Sequence, residues 1–214
     1  MHSIPDIQVH PMTPVAEKAI RFANAGDHTS SLEQWNLYLV DHPAVAEAYV
    51  LRGLVKASLG DGQGLLEDYK SASEAKPEDG RFRAMYHFAL GGSMYCVYLE
   101  DGITDLLDQA IENMDIAVEA APDDLTALSY RGTALCHAEK PEAANEDFTR
   151  VIALHPENAH ARFMRGAISM GNGALADAKE DFEIALENRE QLEEATSNAL
   201  EQRYEEIMAL LLQA

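Results

Sequence analysis

Two adjacent stretches of sequence decide the fold of this chain. They are Leu125–Asn158, LTALSYRGTALCHAEKPEAANEDFTRVIALHPEN, and Ala159–Leu192, AHARFMRGAISMGNGALADAKEDFEIALENREQL. Laid on each other, the two stretches share an Arg-Gly pair near the start and a Glu-Asp-Phe triplet beyond the middle. A pattern that recurs after about 34 residues is typical of arrays of helical hairpins, in which each unit buries its apolar face against its neighbours.

The same pattern extends toward the N-terminus. Arg52-Gly53 and Glu67-Asp68-Tyr69 repeat both words at the same separation. Prolines that cannot continue a helix punctuate the chain at Pro43, Pro77, Pro122 and Pro156. The first and last of the three intervals equal the repeat period, and the middle one is longer. These intervals predict helix pairs that end at the prolines, with one pair longer than the others.

Numbering each unit so that its proline is position 32 brings further positions into register. Position 8 is small, at Gly53, Gly132 and Gly166, and position 24 is aromatic, at Tyr69, Phe148 and Phe182. Position 20 is small in two of these three units, at Ala144 and Ala178. In this arrangement the chain resembles the tetratricopeptide repeat family. The resemblance implies an all-α fold, a right-handed superhelical solenoid of antiparallel helix pairs.

The repeat pattern divides the chain into about five units, a lead-in and a cap. We expect units at 12–45, 46–79, 80–124, 125–158 and 159–192. Two prolines in residues 1–11 disfavour a helix, so this segment is expected to be extended or disordered. Residues 193–214 show a broad apolar stripe at helical spacing, and they are expected to form a C-terminal capping helix.

The third unit contains the long interval, between Pro77 and Pro122, which adds about three helical turns to the repeat. Asp101-Gly102 is its natural turn, which predicts one helix over Arg81–Glu100 and a second over Ile103–Ala121. Whole added turns keep both helices facing the same way, so we expect a lengthened hairpin that protrudes from the array rather than a loop.

Three units have an arginine at position 7 and an aspartate at position 23, which lie level in an antiparallel hairpin. The two units without the arginine also lack the aspartate. We therefore predict structural salt bridges that fix register, each contributing only about 0–1 kcal/mol if exposed. The predicted pairs are Arg52 with Asp68, Arg131 with Asp147 and Arg165 with Asp181.

Composition narrows the function. Sixteen Lys and Arg against 37 Asp and Glu give a net charge of −21, which disfavours nucleic acid or an anionic membrane as a partner. Neither the two cysteines nor the eight histidines show metal-ligand spacing, and no Gly-rich loop follows a strand. We expect a non-enzymatic cytoplasmic protein with no cofactor and no inserted membrane segment.

The resemblance implies that the first helices of the units line a concave groove that binds a peptide or partner protein, as in an adaptor or chaperone. The residues expected to face it are Glu47, Val50, Leu54, Arg81, Phe88, Ser129, Thr133, His137, His160, Phe163 and Met170. The groove lacks the Lys and Asn residues with which some members clamp a terminal carboxylate. It therefore favours a segment with apolar anchors, and the acidic composition favours basic flanks on that segment.

A second function class is self-assembly into a homo-oligomer. Its candidate contacts are the lengthened hairpin and the C-terminal helix, through Tyr95, Tyr98, Leu99, Met208, Leu211 and Leu212. Clustered exposed apolar side chains mark such contacts. The hairpin residues have an equal alternative, which is to fold back on the adjoining unit.

Overall fold

The computed structural model describes residues 7–212, which form eleven α-helices and no strand. The helices are α1 Pro14–Asn24, α2 His28–Asp41, α3 Ala46–Ser58, α4 Gly62–Ala75, α5 Gly80–Asp101, α6 Thr104–Ala120, α7 Leu125–His137, α8 Pro141–Leu154, α9 Ala159–Gly171, α10 Leu175–Glu187 and α11 Glu194–Leu211. The predicted fold class, an all-α array of helix pairs with a closing helix, is confirmed. The unit boundaries drawn from the sequence stay a prediction.

Short polar side chains begin several of these helices. Asp27, Asp61, Asp124 and Asn158 each accept a hydrogen bond from a backbone N–H two or three residues ahead. Such caps satisfy N–H groups that have no partner inside the helix. Two of these capping residues lie in turns inside a helix pair, and two lie in turns between successive pairs. Local sequence signals therefore mark both kinds of turn.

The turns inside the helix pairs require left-handed backbone. Four of them place a glycine at positive φ, namely Gly26, Gly60, Gly102 and Gly173. The α7–α8 turn instead uses Glu139, at φ 56°. Glycine adopts this conformation freely, whereas a residue with a Cβ does so at a cost.

The described residues group into two compact units. The first, unit 1, comprises residues 7–90 and Glu119–Ala121, and the second, unit 2, comprises residues 91–118 and 122–212. In unit 1, one apolar cluster contains Trp35, Tyr38, Leu39 and Leu51, and a second contains Val50, Tyr69 and Phe82. Each cluster joins residues of successive helices, as the repeat pattern predicts.

Within unit 2, the aromatic side chains at position 24 are fully buried. Phe148 leaves so little room that a Cβ on Gly132 would lie 2.9 Å from the tip of its ring. A Cβ on Gly166 would lie 2.6 Å from the ring of Phe182. The glycines at position 8 are therefore required by close contact between paired helices.

The third hairpin is lengthened in both arms. Helix α5 has 22 residues and α6 has 17, whereas the other paired helices have 11 to 14. In unit 1 the backbone of Gly80 lies close to Ala120, and in unit 2 that of Gly91 lies close to Ala110. These two contacts make the helices antiparallel, and Gly102 turns the chain between them as expected.

Helix α11 closes unit 2. Leu200 and Ile207 are fully buried in a cluster with Ala178, Phe182 and Ala185 of α10. The preceding helix α10 ends at Glu187 without a proline, and a short 3-10 helix, Arg189–Gln191, leads into α11. The expected capping helix thus forms, and its last two predicted residues, 213–214, lie outside the described range.

Candidate functional site

Each arginine at position 7 holds an aspartate on the second helix of its own pair. Arg52 donates two hydrogen bonds to Asp68, of 2.9 Å from Nε and 2.6 Å from Nη2. Arg131 contacts Asp147 and Arg165 contacts Asp181 in the same two-pronged way, with Nε–Oδ2 distances of 2.8 and 2.7 Å. The fork of the guanidinium matches the carboxylate and fixes the register of the two helices.

Each of these arginines also contacts a side chain on the second helix of the preceding repeat. Arg52 Nη1 donates to the Asn36 side chain at 3.0 Å, and Arg131 Nη1 donates to Asp115 at 2.9 Å. Arg165 Nη1 lies 3.5 Å from Thr149 Oγ1. All three acceptors occupy position 25, so one guanidinium ties together three helices.

The aspartates are far more buried than an exposed ion pair allows. The side chains of Asp68, Asp147 and Asp181 are 2–4% exposed. The small contribution to stability expected from the sequence applies only to exposed ion pairs. These aspartates are buried, so that expectation is wrong. A buried carboxylate that loses its cation is left uncompensated, which costs about 3–5 kcal/mol.

Asp181 has a second cation that sequence reasoning missed. Arg162 Nη1 donates to Asp181 Oδ1 at 2.7 Å, beside Arg165. Arg162 is the fourth residue of its repeat, where the two other regular repeats have Tyr49 and Leu128. The sequence signal was this departure, since a cation at a half-buried position requires a carboxylate nearby.

The groove residues predicted in unit 1 are only partly available to a ligand. Val50 is fully buried in the cluster with Phe82, so its assignment to the groove is wrong. Leu54 is half-buried against both clusters of this unit. The prediction failed because Ile7, from the segment before α1, packs against the cluster that contains Val50. Residues 1–6 of the expected lead-in lie outside the described range.

The charged and aromatic members of the unit 1 set have local partners or partial cover. Glu47 forms an ion pair with Lys76 at 2.6 Å, and Arg81 is exposed and pairs with Asp79 at 2.6 Å. Phe88 is half-buried on α5. Their roles in binding stay predictions.

In unit 2 the structure brings three predicted residues, Ser129, Thr133 and His160, together on α7 and α9. The Thr133 hydroxyl donates to the carbonyl of Ser129 at 2.8 Å and lies 3.3 Å from His160 Nε2. Burial lowers the pKa of His160 below its usual range. His137 is exposed at the end of α7. This arrangement ties α9 to α7 through polar side chains that also border the open surface.

Phe163 and Met170 lie further along α9. Both pack against the cluster formed with α10 and α11, and the Phe163 ring is 6.2 Å from that of Phe182. They are half-buried rather than free. A ligand would meet only one side of each.

Within unit 2, the tyrosines of the lengthened hairpin pack against α7, the first helix of the next repeat. Tyr95 is 5% exposed, and its ring lies 5.7 Å from His137, while that of Tyr98 lies 5.9 Å from the same imidazole. Burial raises the pKa of Tyr95 to about 12. Tyr95 is therefore a core residue, and its assignment as an exposed partner contact is wrong, because α7 covers it. Leu99 stays exposed near the tip.

At the other end of unit 2, Met208 and Leu211 pack against the α10–α11 cluster. Leu212 is 85% exposed. The apolar end of the C-terminal helix thus serves mainly as the cover of unit 2.

Within unit 2, an apolar cleft of 420 Å³ opens between α7 and α9. Its lining consists of Cys136, Glu139, Pro141, Met164, Ala167 and Ile168. Burial raises the pKa of the Cys136 thiol, which keeps it protonated and apolar at neutral pH. The volume lies in the range of clefts that bind small ligands. None of these lining residues is among the groove residues expected from the sequence, although Cys136 and Ala167 lie on the first helices of their pairs, which were expected to line the groove.

Neither a metal site nor a membrane span is found in the part of the chain that the structure describes. Residues 7–212 contain no group of three His, Cys, Asp or Glu side chains arranged for a metal ion. None of their helices combines the length and the apolar character that crossing a bilayer requires.

Paired helices joined by left-handed turns, with buried aromatics that recur at the repeat spacing, define a helical-repeat protein. Residues 137–193 match the family model described as tetratricopeptide repeat. Over this stretch the chain is similar to tetratricopeptide repeat proteins.

Comparison with individual proteins extends this likeness over more of the chain. DnaJ homolog subfamily C member 3 of Rattus norvegicus is 33% identical over 109 residues, which are 50% of this chain and 22% of the relative. The chain therefore spans about a fifth of the length of the curated relatives it matches.

Two solved structures share the fold at low sequence identity. The crystal structure of MamA has a TM-score of 0.63 at 19% identity and covers 81% of this chain and 95% of its own. YrrB, described as a TPR protein with an unusual peptide-binding site, has a TM-score of 0.63 at 19% identity. The match covers 88% of this chain and 91% of YrrB.

Proposed function

We propose that this chain is a protein-interaction scaffold whose unit 2 binds a segment of a partner protein, as an adaptor or chaperone does. The observation that carries the proposal is the cleft between α7 and α9. It is open, and four of its six lining residues are aliphatic or sulfur-containing, at Cys136, Met164, Ala167 and Ile168. An open apolar cleft of this kind suits a buried aliphatic or aromatic anchor on a partner.

Charge favours a partner whose anchor is flanked by basic residues. The chain carries 37 acidic against 16 basic residues, and Glu139 lies at the cleft itself. Complementary charge raises the association rate and selects against acidic partners. The likeness to YrrB, which is described as having a peptide-binding site, supports a peptide as the ligand.

The test uses a peptide chosen by the protein itself. Peptides are selected on the full chain from a random phage library, and the dissociation constant of the best one is measured by fluorescence anisotropy. Ala167→Glu places a charge in the cleft and is expected to weaken binding at least tenfold, because an apolar anchor would have to desolvate it. Ala153→Glu, at an exposed position of α8, is the matched control and is expected to bind unchanged.

Two results count against the cleft. If Ala167→Glu binds the selected peptide as tightly as the unchanged protein, the cleft is not the site. If no selected peptide carries an aliphatic or aromatic anchor, the proposed chemistry of the partner is wrong.

Self-assembly is a second candidate function, favoured by one observation at the tip of the lengthened hairpin. Val97, Leu99 and Ile103 are 39, 55 and 47% exposed there. Sedimentation velocity at rising concentration tests this alternative, with Leu99→Glu as the variant that should dissociate an oligomer. A monomer at every concentration removes it.

A further inference from the structure

The turn between α9 and α10 contains Asn172-Gly173, an asparagine followed directly by glycine. Residues 171–173 are all exposed, and a Cβ built on Gly173 would have no atom within 4 Å. No packed side chain therefore crowds the peptide bond between Asn172 and Gly173. Such room matters because the side-chain amide of an asparagine can react with the backbone nitrogen of the residue that follows it.

Two other asparagines of unit 2 have side chains that hydrogen bonds hold in place. The Asn158 side chain accepts a hydrogen bond of 2.9 Å from the N–H of Ala161, and the Asn188 side chain donates one of 2.9 Å to the carbonyl of Ile184. Among residues 7–212, no such bond holds the side chain of Asn172. Its amide can therefore rotate toward the neighbouring backbone.

The backbone of this turn closes the end of α9. The N–H of Ala174 donates to the carbonyl of Ser169 at 2.9 Å, and that of Gly173 donates to the carbonyl of Met170 at 3.0 Å. With Gly173 at φ 77°, these are the two hydrogen bonds of a Schellman motif. Exposed helix ends open more readily than the core, so the Gly173 nitrogen is intermittently released from Met170.

We infer that Asn172 is a site of spontaneous deamidation, with water as the co-reactant. When the turn opens, the Gly173 nitrogen loses its proton to a base in solution and forms a bond to Cγ of Asn172. The bond from Cγ to Nδ2 breaks, that nitrogen takes up a proton and leaves as ammonia, and a succinimide ring joins the two residues. Glycine leaves this ring unhindered because it has no Cβ.

Water then opens the ring at one of its two carbonyl carbons. Addition at Cγ breaks the bond from Cγ to the Gly173 nitrogen and yields aspartate in an unchanged backbone. Addition at the main-chain carbonyl carbon breaks its bond to the same nitrogen and yields isoaspartate, in which the chain continues through Cβ and Cγ. Either product replaces the amide of Asn172 by a carboxylate, at the end of α9 where the helix dipole is already negative.

The isoaspartate product should also open the cap of α9. Its main chain gains one carbon before Gly173, which moves the N–H groups of Gly173 and Ala174 away from the carbonyls of Met170 and Ser169. The turn between α9 and α10 thus changes with the age of the molecule. This chemistry needs no partner and is independent of the proposed scaffold function.

The experiment follows the full chain during incubation at mildly alkaline pH. Samples are digested and mapped by mass spectrometry, with fragmentation that separates aspartate from isoaspartate, and a digest taken at the start corrects for conversion during digestion. Asn172 should be converted at least about tenfold faster than Asn158 and Asn188, because neither of these precedes a glycine. Both serve as matched controls in the same samples, and conversion of Asn172 no faster than theirs overturns the inference.

The products report the route. A succinimide gives isoaspartate beside aspartate, whereas aspartate alone would indicate direct hydrolysis of the amide and would overturn the ring mechanism. A synthetic peptide of residues 168–176, ISMGNGALA, is the reference without a folded turn. If the folded protein shows no product after the peptide is fully converted, the turn does not open and the inference fails.

Hydrogen exchange tests the effect on the cap. The converted protein is separated by anion exchange through its added charge, and its Gly173 and Ala174 amides should exchange faster in the isoaspartate form than in the unchanged protein. Asn172→Asp adds the same charge but keeps the backbone, so it is the matched control and should exchange more slowly than the isoaspartate form. Equal exchange in the isoaspartate form and the unchanged protein would show that the cap survives, contrary to the inferred consequence.

Discussion

Replacing Arg131 by methionine should destabilise unit 2 far more than the loss of an ordinary surface ion pair. The change leaves Asp147, whose side chain is 4% exposed, without its two hydrogen bonds from the guanidinium. Removing one partner of a buried pair costs about 3–5 kcal/mol. We expect the lower end, about 3 kcal/mol, because the Arg131 side chain itself is 21% exposed and so is partly solvated in the folded protein.

The loss can be read from urea unfolding followed by circular dichroism at 222 nm. With an m value of about 2 kcal/mol per molar urea, a loss of about 3 kcal/mol lowers the midpoint by about 1.5 M. Arg150→Ala is the matched control in the same unit. Its partner Asp123 is 72% exposed, so its loss should cost at most about 1 kcal/mol.

A second variant separates the cost of the uncompensated charge from the cost of lost packing. Replacing both members, as Arg131→Met with Asp147→Leu, removes the uncompensated charge and should restore most of the midpoint. The reasoning is refuted if Arg131→Met costs no more than Arg150→Ala. It is refuted equally if the double variant is as unstable as the single one, because the loss would then come from packing rather than from charge.

Three further predictions test other parts of the structure. Gly91→Ala should destabilise the protein by about 1–3 kcal/mol because its Cβ would lie 2.9 Å from the Ala110 carbonyl oxygen. Gly92→Ala, with nothing within 4 Å of its Cβ, should stabilise the protein by about 0.5–1 kcal/mol. Thermal unfolding compares the two variants, and equal effects would contradict the packing of α5 against α6. Glu139→Gly should raise the free energy of unfolding by about 1 kcal/mol because it relieves a positive φ, and an unchanged urea midpoint would show that the turn is unstrained. The folded-state pKa of His160 lies below its unfolded value, so the unfolded chain binds more protons and stability should fall as pH drops below about 6.5. The urea midpoint should therefore decrease between pH 7.5 and 5, and His160→Gln should reduce this decrease. A decrease of the same size in the variant would contradict the burial argument.

The periodic part of this fold could be predicted from sequence because each unit repeats the same local rules. Glycine at position 8 and an aromatic at position 24 meet inside one hairpin, so their spacing alone implies contact. The lengthened third hairpin followed from one irregular proline interval and the Gly102 turn. Arg131 and Asp147 were paired because both are present in the same units and absent from the others.

The parts that failed depend on contacts that no repeat encodes. Val9 lies outside the periodic region, and its burial requires side chains that come from α2 and α3. Tyr95 belongs to the extra turns of α5, for which the other units offer no counterpart to compare. The burial of Asp147 was missed because charge predicts exposure unless the packing around it is known. For the groove, the sequence identified helices that line a surface but could not show that the chain fills part of it.

The acceptors at position 25 bear on how such a chain can lengthen during evolution. An arginine at position 7 needs an oxygen at position 25 of whichever unit precedes it, and here asparagine, aspartate and threonine all supply one, at Asn36, Asp115 and Thr149. A tandem copy of Leu125–Asn158 would therefore place the new arginine against Thr149, a partner of the kind that Arg165 already has. Gene duplication of a unit conserves this junction without compensating substitutions, whereas a deletion that begins inside a hairpin leaves a guanidinium or a buried carboxylate without its match.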